Sequence, residues 1–155
     1  MEISELTPEH VERVAQLTQR TNQFNVTTIR RTEAEIQRLG QDTSLECLTV
    51  KVSDRFGDYG LVGVILFAGQ PDALRVDTFL LSCRVLGRGV EHRMLARLGE
   101  IAQSRGLAHV EMPYLPTPKN KLALDFLNSV GADFKEENAE GWLFRFPSKF
   151  VTHDS

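Results

Sequence analysis

The segment Leu80–Glu91 has the residue types and spacing in this chain that most clearly indicate chemistry. An apolar, strand-like run leads into it, Gly87 and Gly89 follow, and a helical pattern of apolar residues begins at Val90. Glycine allows backbone N–H groups to approach a ligand without an intervening Cβ atom. The first N–H groups of a helix are unpaired and lie at the positive end of its dipole, where phosphate groups bind. The backbone from Leu86 to Val90 is therefore predicted to hold a phosphate or pyrophosphate group.

Positive charge is concentrated in this turn and in the helix after it. Residues 84–105 carry two glutamates and five arginines, Arg84, Arg88, Arg93, Arg97 and Arg105. This stretch has a charge of +3, whereas the whole chain has −3, so the remaining residues sum to −6. Arg84 and Arg88 are candidates for further contacts to a bound anion. Two interpretations stay open, a small anionic ligand on a basic patch, or a tight turn followed by a solvated helix face.

Composition excludes several classes of protein. A chain of 155 residues, 41% of them hydrophobic, is predicted to form one domain, 1–155, with a single core. The longest apolar run, Leu61–Ala68, is too short to cross a bilayer. Eighteen basic and 21 acidic side chains argue against non-specific nucleic-acid binding. Met1–Leu6 lacks the pattern of a secretory leader. Two cysteines, Cys47 and Cys83, do not form a disulfide framework, so a reduced, cytoplasmic protein is expected.

Hydrophobic periodicity predicts a mixed sheet with helices on its faces, an α/β or α+β domain. The predicted strands are Glu2–Leu6, Leu45–Ser53, Leu61–Phe67, Leu74–Ser82, Ala108–Met112, Phe134–Glu136 and Gly141–Phe146. The predicted helices run from Thr7 to Thr21, from a capping box at Thr32 to Gly40, from Val90 to Arg105 and from Asn120 to Val130. The order is β-α-α-β-β-β-α-β-α-β-β, with Asp54–Gly60 predicted to be a turn or loop.

The element order and the glycine turn resemble the fold of the GCN5-related N-acetyltransferases (GNAT) over nearly the whole chain. The residues that carry the resemblance are Gly87-Arg88-Gly89-Val90, Met94-Leu95, Arg105-Gly106, Asn120, Ala123, Phe126, Gly131 and Phe134. The resemblance implies acyl-CoA, or a phosphopantetheine thioester, as the cofactor. The turn of residues 86–90 would then hold its phosphate, strand residues Leu81 to Cys83 would pair with the pantetheine amides, and Asn120 would complete the site.

Three longer segments are similar to the C-terminal GNAT-like domain of FkbH-like proteins of polyketide biosynthesis. They are Leu17–Asn25, Val52–Gly60 and Phe79–Arg84. In that family a haloacid-dehalogenase-type domain, which precedes the GNAT-like part, moves a glyceryl group from a phosphoester to an acyl carrier protein. That phosphatase-like domain needs an Asp-x-Asp motif, which this sequence lacks. The resemblance therefore implies the GNAT-like domain alone, and glyceryl transfer is not expected from this chain by itself.

Three positions depart from an active acetyltransferase. Residues 84–89 match the spacing of the family's glycine turn. The apolar residues of the following helix, however, fit the family pattern better when that pattern is moved by two residues along this sequence. In the shifted register, Leu86 replaces a basic or amide residue and Glu91 replaces a small residue, where its carboxylate would repel phosphate. Leu127 stands where many relatives have a tyrosine that protonates the leaving thiolate.

Acylation of an amine also needs a base that removes a proton from the ammonium group. Asp77 and Glu111 are candidates by their placement on neighbouring strands only, and a solvent-facing or ion-paired carboxylate is the more common explanation of each. Cys83 lies where a thioester would pass and is an alternative acyl acceptor, or a buried strand residue. His92 and His109 have no partners at ligand spacing, so no metal site is expected.

Two functions are consistent with these residues and resemblances. The first is an acyltransferase-like domain that binds an acyl-CoA or acyl-carrier-protein thioester, in the supply of polyketide starter or extender units. The alternative is a catalytically silent module that docks an acyl carrier protein or a phosphatase-like partner domain. An acidic carrier protein would meet the arginines of residues 84–105. Neither nucleic acid nor membrane is an expected partner.

Overall fold

Seven strands form one sheet in the computed structural model, which describes residues 1–39, 41 and 44–151. The strands are β1 (Glu2–Glu5), β2 (Glu46–Asp54), β3 (Gly57–Gly69), β4 (Ala73–Leu81), β5 (His109–Tyr114), β6 (Lys135–Asn138) and β7 (Gly141–Pro147). Their order across the sheet is β1-β2-β3-β4-β5-β7-β6. Neighbours among these described strands are antiparallel except for β4 and β5, which run parallel.

The helices cover both faces of the sheet. They are α1 (Val11–Arg20), α2 (Glu33–Gln37), α3 (Val90–Ser104), α4 (Lys121–Gly131) and α5 (Ser148–Val151). Short 3₁₀ turns occupy Pro8–His10, Cys83–Val85 and Ala132–Phe134. The predicted element order is confirmed, with α5 added after the last strand. Within the described residues, no helix is long and apolar enough to cross a membrane.

The predicted capping box begins α2. The Thr32 hydroxyl accepts the Glu35 backbone N–H at 3.2 Å, and the Glu35 carboxylate accepts the Thr32 backbone N–H at 2.9 Å. This reciprocal pair satisfies two donors that a helix N-terminus otherwise leaves unpaired. The predicted end of this helix, Gly40, lies outside the described residues.

Apolar side chains pack on both faces of the central strands. On one face they meet α3 and α4, with Ile65 and Phe67 of β3 in that cluster. On the other face they meet α1 and α2, with Val64 and Leu66 in that cluster. A strand buried on both sides has no polar face, which explains the almost continuous apolar run of β3.

The hairpin of β2 and β3 differs from the sequence prediction. The predicted loop Asp54–Gly60 is shorter, because Asp54 pairs with Gly57 and leaves a two-residue turn. The Asp54 carboxylate accepts the Phe56 backbone N–H at 2.8 Å and stabilises that turn. The hairpin extends beyond the core, so its strands no longer need apolar side chains, and the periodicity that marks a buried strand is absent there.

Candidate functional site

The parallel strands β4 and β5 separate along their length and open a gap in the sheet, which we call the wedge. They pair at three positions, of which Arg75 with Glu111 is the last. Beyond it β4 carries one extra residue relative to β3, because Leu66 pairs with Thr78 but Phe67 pairs with Val76. A bulge of this kind increases local twist and bends a strand away from its neighbour. The wedge is the place where the resemblance puts the pantetheine arm and the acyl group.

A piece of the chain between α1 and α2, Phe24–Thr27, lies in the wedge; we call it the wedge segment. The Val26 N–H donates to the Phe79 carbonyl at 3.3 Å, and the Leu81 N–H donates to the Phe24 carbonyl at 3.0 Å. The segment thus runs antiparallel to β4 along the edge that β5 has left. Leu81 is one of the residues predicted to pair with pantetheine, and its N–H bonds to the protein's own backbone.

Aromatic packing holds the wedge segment in place. Phe24 is 1% exposed, and its ring centroid lies 6.1 Å from that of Phe79 and 5.5 Å from that of Phe126 on α4. Val26 is fully buried. Aromatic pairs at such distances add to the free energy of burial. The segment is therefore part of the hydrophobic core.

Asn120, a predicted cofactor residue at the start of α4, joins the wedge segment to the end of β5. Its amide nitrogen donates to the carbonyls of Asn25 and Leu115, both at 3.0 Å. Its amide oxygen accepts the Tyr114 hydroxyl at 2.6 Å and the Thr117 N–H at 2.9 Å. The side chain is fully buried, and these four bonds use the full capacity of an amide.

The predicted phosphate turn has the backbone that its glycines suggested. Gly87 and Gly89 have φ angles of +81° and +83°, which L side chains rarely adopt, and Gly89 immediately precedes α3. A Cβ atom at either glycine would meet no atom within 4 Å, so the turn is open on that side. Leu86–Val90 therefore presents backbone at a helix N-terminus, as the sequence predicted.

Glu91 occupies one donor of this turn. Its Oε2 accepts the Gly87 N–H at 3.2 Å, and the residue is 7% exposed. Its Oε1 is buried without a hydrogen-bond partner. A carboxylate thus lies against the backbone donor that a phosphate would use.

The two arginines of the turn both lie against the ring of Tyr59 in the β2–β3 hairpin. The guanidinium carbons of Arg84 and Arg88 are 5.4 and 5.1 Å from the centre of the Tyr59 ring, within the range of cation–π contacts. Arg88 also forms an ion pair with Asp54 at 2.9 Å. These contacts tie the turn to the hairpin, a connection that sequence spacing did not reveal.

Both predicted bases are held in ion pairs, one of the two alternatives that the sequence left open. Arg31 binds both carboxylate oxygens of Asp77, at 2.9 and 2.8 Å. Glu111 accepts from Arg75 at 3.3 Å and from Arg145 at 3.1 Å. Asp77 lies just inside the wedge and Glu111 at its closed end, so the structure brings the two to the same region.

The remaining predicted groups are divided between surface and core. Cys83 is exposed, and its thiol donates to the Gln23 side-chain oxygen at 3.0 Å. Leu127 is fully buried. Burial also raises the pKa of the Tyr114 hydroxyl, which donates to the Asn120 side chain. Among the described residues, no three His, Cys, Asp or Glu side chains are grouped so that they could hold a metal ion.

Sequence reasoning missed the wedge segment as a structural element. This part of the sequence resembles a polar linker, because Asn22 and Gln23 precede the segment and Asn25 lies within it. The usable signal was the alternation of apolar Phe24 and Val26 about Asn25, which is the period of a strand. Three residues are too few for that signal to stand out.

Comparisons with known proteins give matches in structure alone. No protein-family model matches the chain, and no curated protein matches it in sequence. PaiA N-acetyltransferase from Thermoplasma acidophilum, in complex with coenzyme A, has a TM-score of 0.67 at 12% identity, over 94% of this chain and 98% of that one. The GNAT domain of PAT from S. lividans has a TM-score of 0.67 at 16% identity, over 94% and 89%.

A third neighbour is Rv2747 from Mycobacterium tuberculosis in complex with CoA and NLQ, with a TM-score of 0.57 at 16% identity. The match covers 72% of this chain and 63% of that one, so this chain spans less than two thirds of its length. At these identities the likeness concerns the fold. The divergent parallel strands, the glycine turn before α3 and these neighbours together establish that the chain has the GNAT fold.

Proposed function

We propose that this chain is a GNAT-fold module that docks an acyl carrier protein and does not take free CoA into its wedge. One observation carries the proposal: Phe24–Thr27 is bonded to the edge of β4 where pantetheine is expected. A pantetheine arm pairs with a strand edge only where backbone N–H and C=O groups are unoccupied. The Leu81 N–H and the Phe79 C=O are already paired, so a thioester would have to displace the wedge segment.

Electrostatics at the turn support the same conclusion. CoA carries a pyrophosphate, and the Glu91 carboxylate already accepts the Gly87 N–H. Two anions at one helix N-terminus repel each other, and burial of Glu91 limits screening by water. The wedge segment thus takes the strand edge, and Glu91 takes one backbone donor of the turn.

The surface beside the turn supports docking of an acidic protein. We call it the docking patch: Arg55, Phe56, Tyr59, Arg84 and Arg88. Phe56 is 79% exposed at the hairpin tip, and the Arg55 guanidinium lies 5.0 Å from its ring centre. Exposed aromatics together with arginines are the residue types that dominate binding energy at protein interfaces. Carrier proteins are generally acidic, which complements this patch.

The pathway is inferred from the FkbH-like segments. Two of them, Val52–Gly60 and Phe79–Arg84, contribute to the docking patch. A module of this kind would bring the carrier protein to a phosphatase-like partner domain that transfers a glyceryl-type unit. Docking, and not acyl transfer, is then the contribution of this chain to the supply of polyketide starter or extender units.

Calorimetry tests this function with four ligands: CoA, acetyl-CoA, and a polyketide acyl carrier protein with and without its phosphopantetheine arm. We expect both carrier forms to bind with similar affinity and both CoA ligands to show no heat at millimolar concentration. Phe56→Ala and Arg55→Glu should weaken carrier binding, whereas the exposed controls Leu122→Ala and Lys121→Glu on α4 should not. Micromolar binding of CoA, or carrier binding unaffected by the patch variants, would contradict the proposal.

The second candidate is an acyltransferase that accepts an acyl-CoA or acyl-carrier thioester after the wedge segment moves away. The open glycine turn favours it, because Gly87 and Gly89 keep a backbone suited to close approach of a ligand. The same titrations distinguish the two candidates. Binding of acetyl-CoA together with faster amide exchange in Phe24–Thr27 would favour the acyltransferase.

A further inference from the structure

A second, polar pocket lies outside the wedge, between the end of α1 and the end of β4. Its volume is about 330 Å³, which is within the range of small-molecule sites. The residues that line it are Arg20, Thr21, Asn22, Gln23, Ser82 and Cys83. The docking patch of the proposed function contains none of these lining residues, although its Arg84 follows Cys83 directly in the chain.

The neutral side chains of the pocket offer hydrogen-bond donors. Asn22, Gln23 and Ser82 each use a side-chain oxygen to accept a bond from within the protein. The donors are the Arg30 guanidinium, the Cys83 thiol at 3.0 Å and the Arg84 backbone N–H at 3.3 Å, respectively. Within the described residues, their own amide and hydroxyl hydrogens donate to no protein atom. A ligand here therefore meets donors, and it must supply acceptors.

Arginines beside the pocket lack acidic partners. Arg20 lines it, Arg84 follows Cys83, and Arg13 lies two helical turns before Arg20 on the same face of α1. In the described part of the chain, none of the three forms an ion pair. Burial, followed by repulsion from Arg84 and Arg20, lowers the pKa of Arg13. The cluster thus brings three guanidinium groups near one another, and among the described residues none of them is neutralised by an ion pair.

We propose that this pocket binds a small phosphorylated metabolite through its phosphate group. Unbalanced guanidinium groups favour a dianion over a singly charged carboxylate, and arginine pairs with phosphate through two parallel hydrogen bonds. The volume leaves room for a short polar chain on the phosphate. The proposal does not depend on carrier docking, because neither Phe56→Ala nor Arg55→Glu changes the pocket lining.

Calorimetry with inorganic phosphate tests the pocket at constant ionic strength, with acetate as the singly charged comparison. We expect phosphate to bind more tightly than acetate. Arg20→Gln and Arg84→Gln should each weaken phosphate binding about fivefold, the effect of losing one exposed charge contact. Arg93→Gln, an exposed arginine of α3 without an ion pair among the described residues, is the matched control and should change it less than about twofold.

Three results would overturn the proposal. They are no binding of phosphate by the folded protein, equal binding of acetate, or equal weakening by the Arg93→Gln control. A carrier-borne phosphopantetheine is a phosphodiester with a single charge. Binding of phosphopantetheinylated carrier protein that Arg20→Gln weakens, without any binding of inorganic phosphate, would assign the pocket to the carrier's arm and reject a small metabolite.

Discussion

The Glu91 carboxylate accepts the backbone N–H of Gly87 at 3.2 Å and so provides the anion at the N-terminus of α3. A negative group there interacts favourably with the helix dipole, typically by about 0.3–1 kcal/mol. Its second oxygen is buried without a partner, which offsets part of that gain. The protein therefore stabilises its glycine turn with its own negative charge, at the place where a bound phosphate would bring one.

Removing this carboxylate tests Glu91 and the wedge segment separately as obstacles to CoA binding. Glu91→Gly should cost about 1–2 kcal/mol in the free energy of unfolding, because the helix gains a glycine and Gly87 loses its acceptor. Calorimetry should still detect no CoA binding by Glu91→Gly, because the wedge segment stays in place. Glu91→Gln keeps the acceptor without the charge and is the matched control. CoA binding by Glu91→Gly alone would show that the wedge segment is no barrier.

Loosening the wedge segment should be visible in hydrogen exchange. The buried Asn25 side chain donates to the Thr21 carbonyl at 3.1 Å and accepts the Thr28 N–H at 2.9 Å. Asn25→Ala should lower the free energy of unfolding by about 2–3 kcal/mol and speed exchange at Val26 and Leu81. The control Asn128→Ala removes a partly buried amide on α4 and should leave those two amides protected. Unchanged protection in Asn25→Ala would mean that aromatic packing and the backbone hydrogen bonds hold the segment without the Asn25 side chain.

The ion pair of Arg31 and Asp77 is predicted to be structural. Their side chains are 17% and 21% exposed, so water screens the pair incompletely, and one guanidinium nitrogen of Arg31 contacts both oxygens of Asp77. A double-mutant cycle with Arg31→Ala and Asp77→Ala, followed by chemical denaturation, should give a coupling of about 1–2 kcal/mol. The exposed pair Arg97–Glu100 is the control and should couple by about 0.5 kcal/mol or less. Equal coupling in the two pairs would leave Asp77 without a structural role and restore its candidacy as a base.

The two cysteines should differ sharply in reactivity. Burial raises the pKa of the Cys47 thiol to about 12, whereas Cys83 is exposed. The thiolate is the reactive form, so at about pH 8 an alkylating reagent should modify Cys83 in the native protein and spare Cys47. Cys83→Ser should abolish rapid labelling, as measured by mass spectrometry, and denaturant should restore one site. Rapid labelling of Cys47 in Cys83→Ser would contradict the protection that partial burial gives this strand residue.

Much of the fold follows from local patterns. The continuous apolar run of β3 and the capping box at Thr32 are each encoded by residues close in sequence, and each formed where predicted. The positive φ at Gly87 and Gly89 is also local, because only glycine adopts it without strain. The predicted turn or loop Asp54–Gly60 was too long, since strands that leave the core lose the apolar period by which strands are recognised.

Tertiary structure alone decided whether the candidate site is open. Nothing in the spacing of the sequence reveals that Phe24–Thr27 enters the wedge, about 55 residues before its partners Phe79 and Leu81, or that Asn120 bonds to Asn25. The backbone at the edge of β4 must be paired once it is buried, and several partners would satisfy it equally well. The sequence determined a fold with a glycine turn and a gap between two strands. Packing of Phe24 against Phe79 and Phe126 determined that the chain itself fills that gap, because such contacts depend on distances in space that no local pattern encodes.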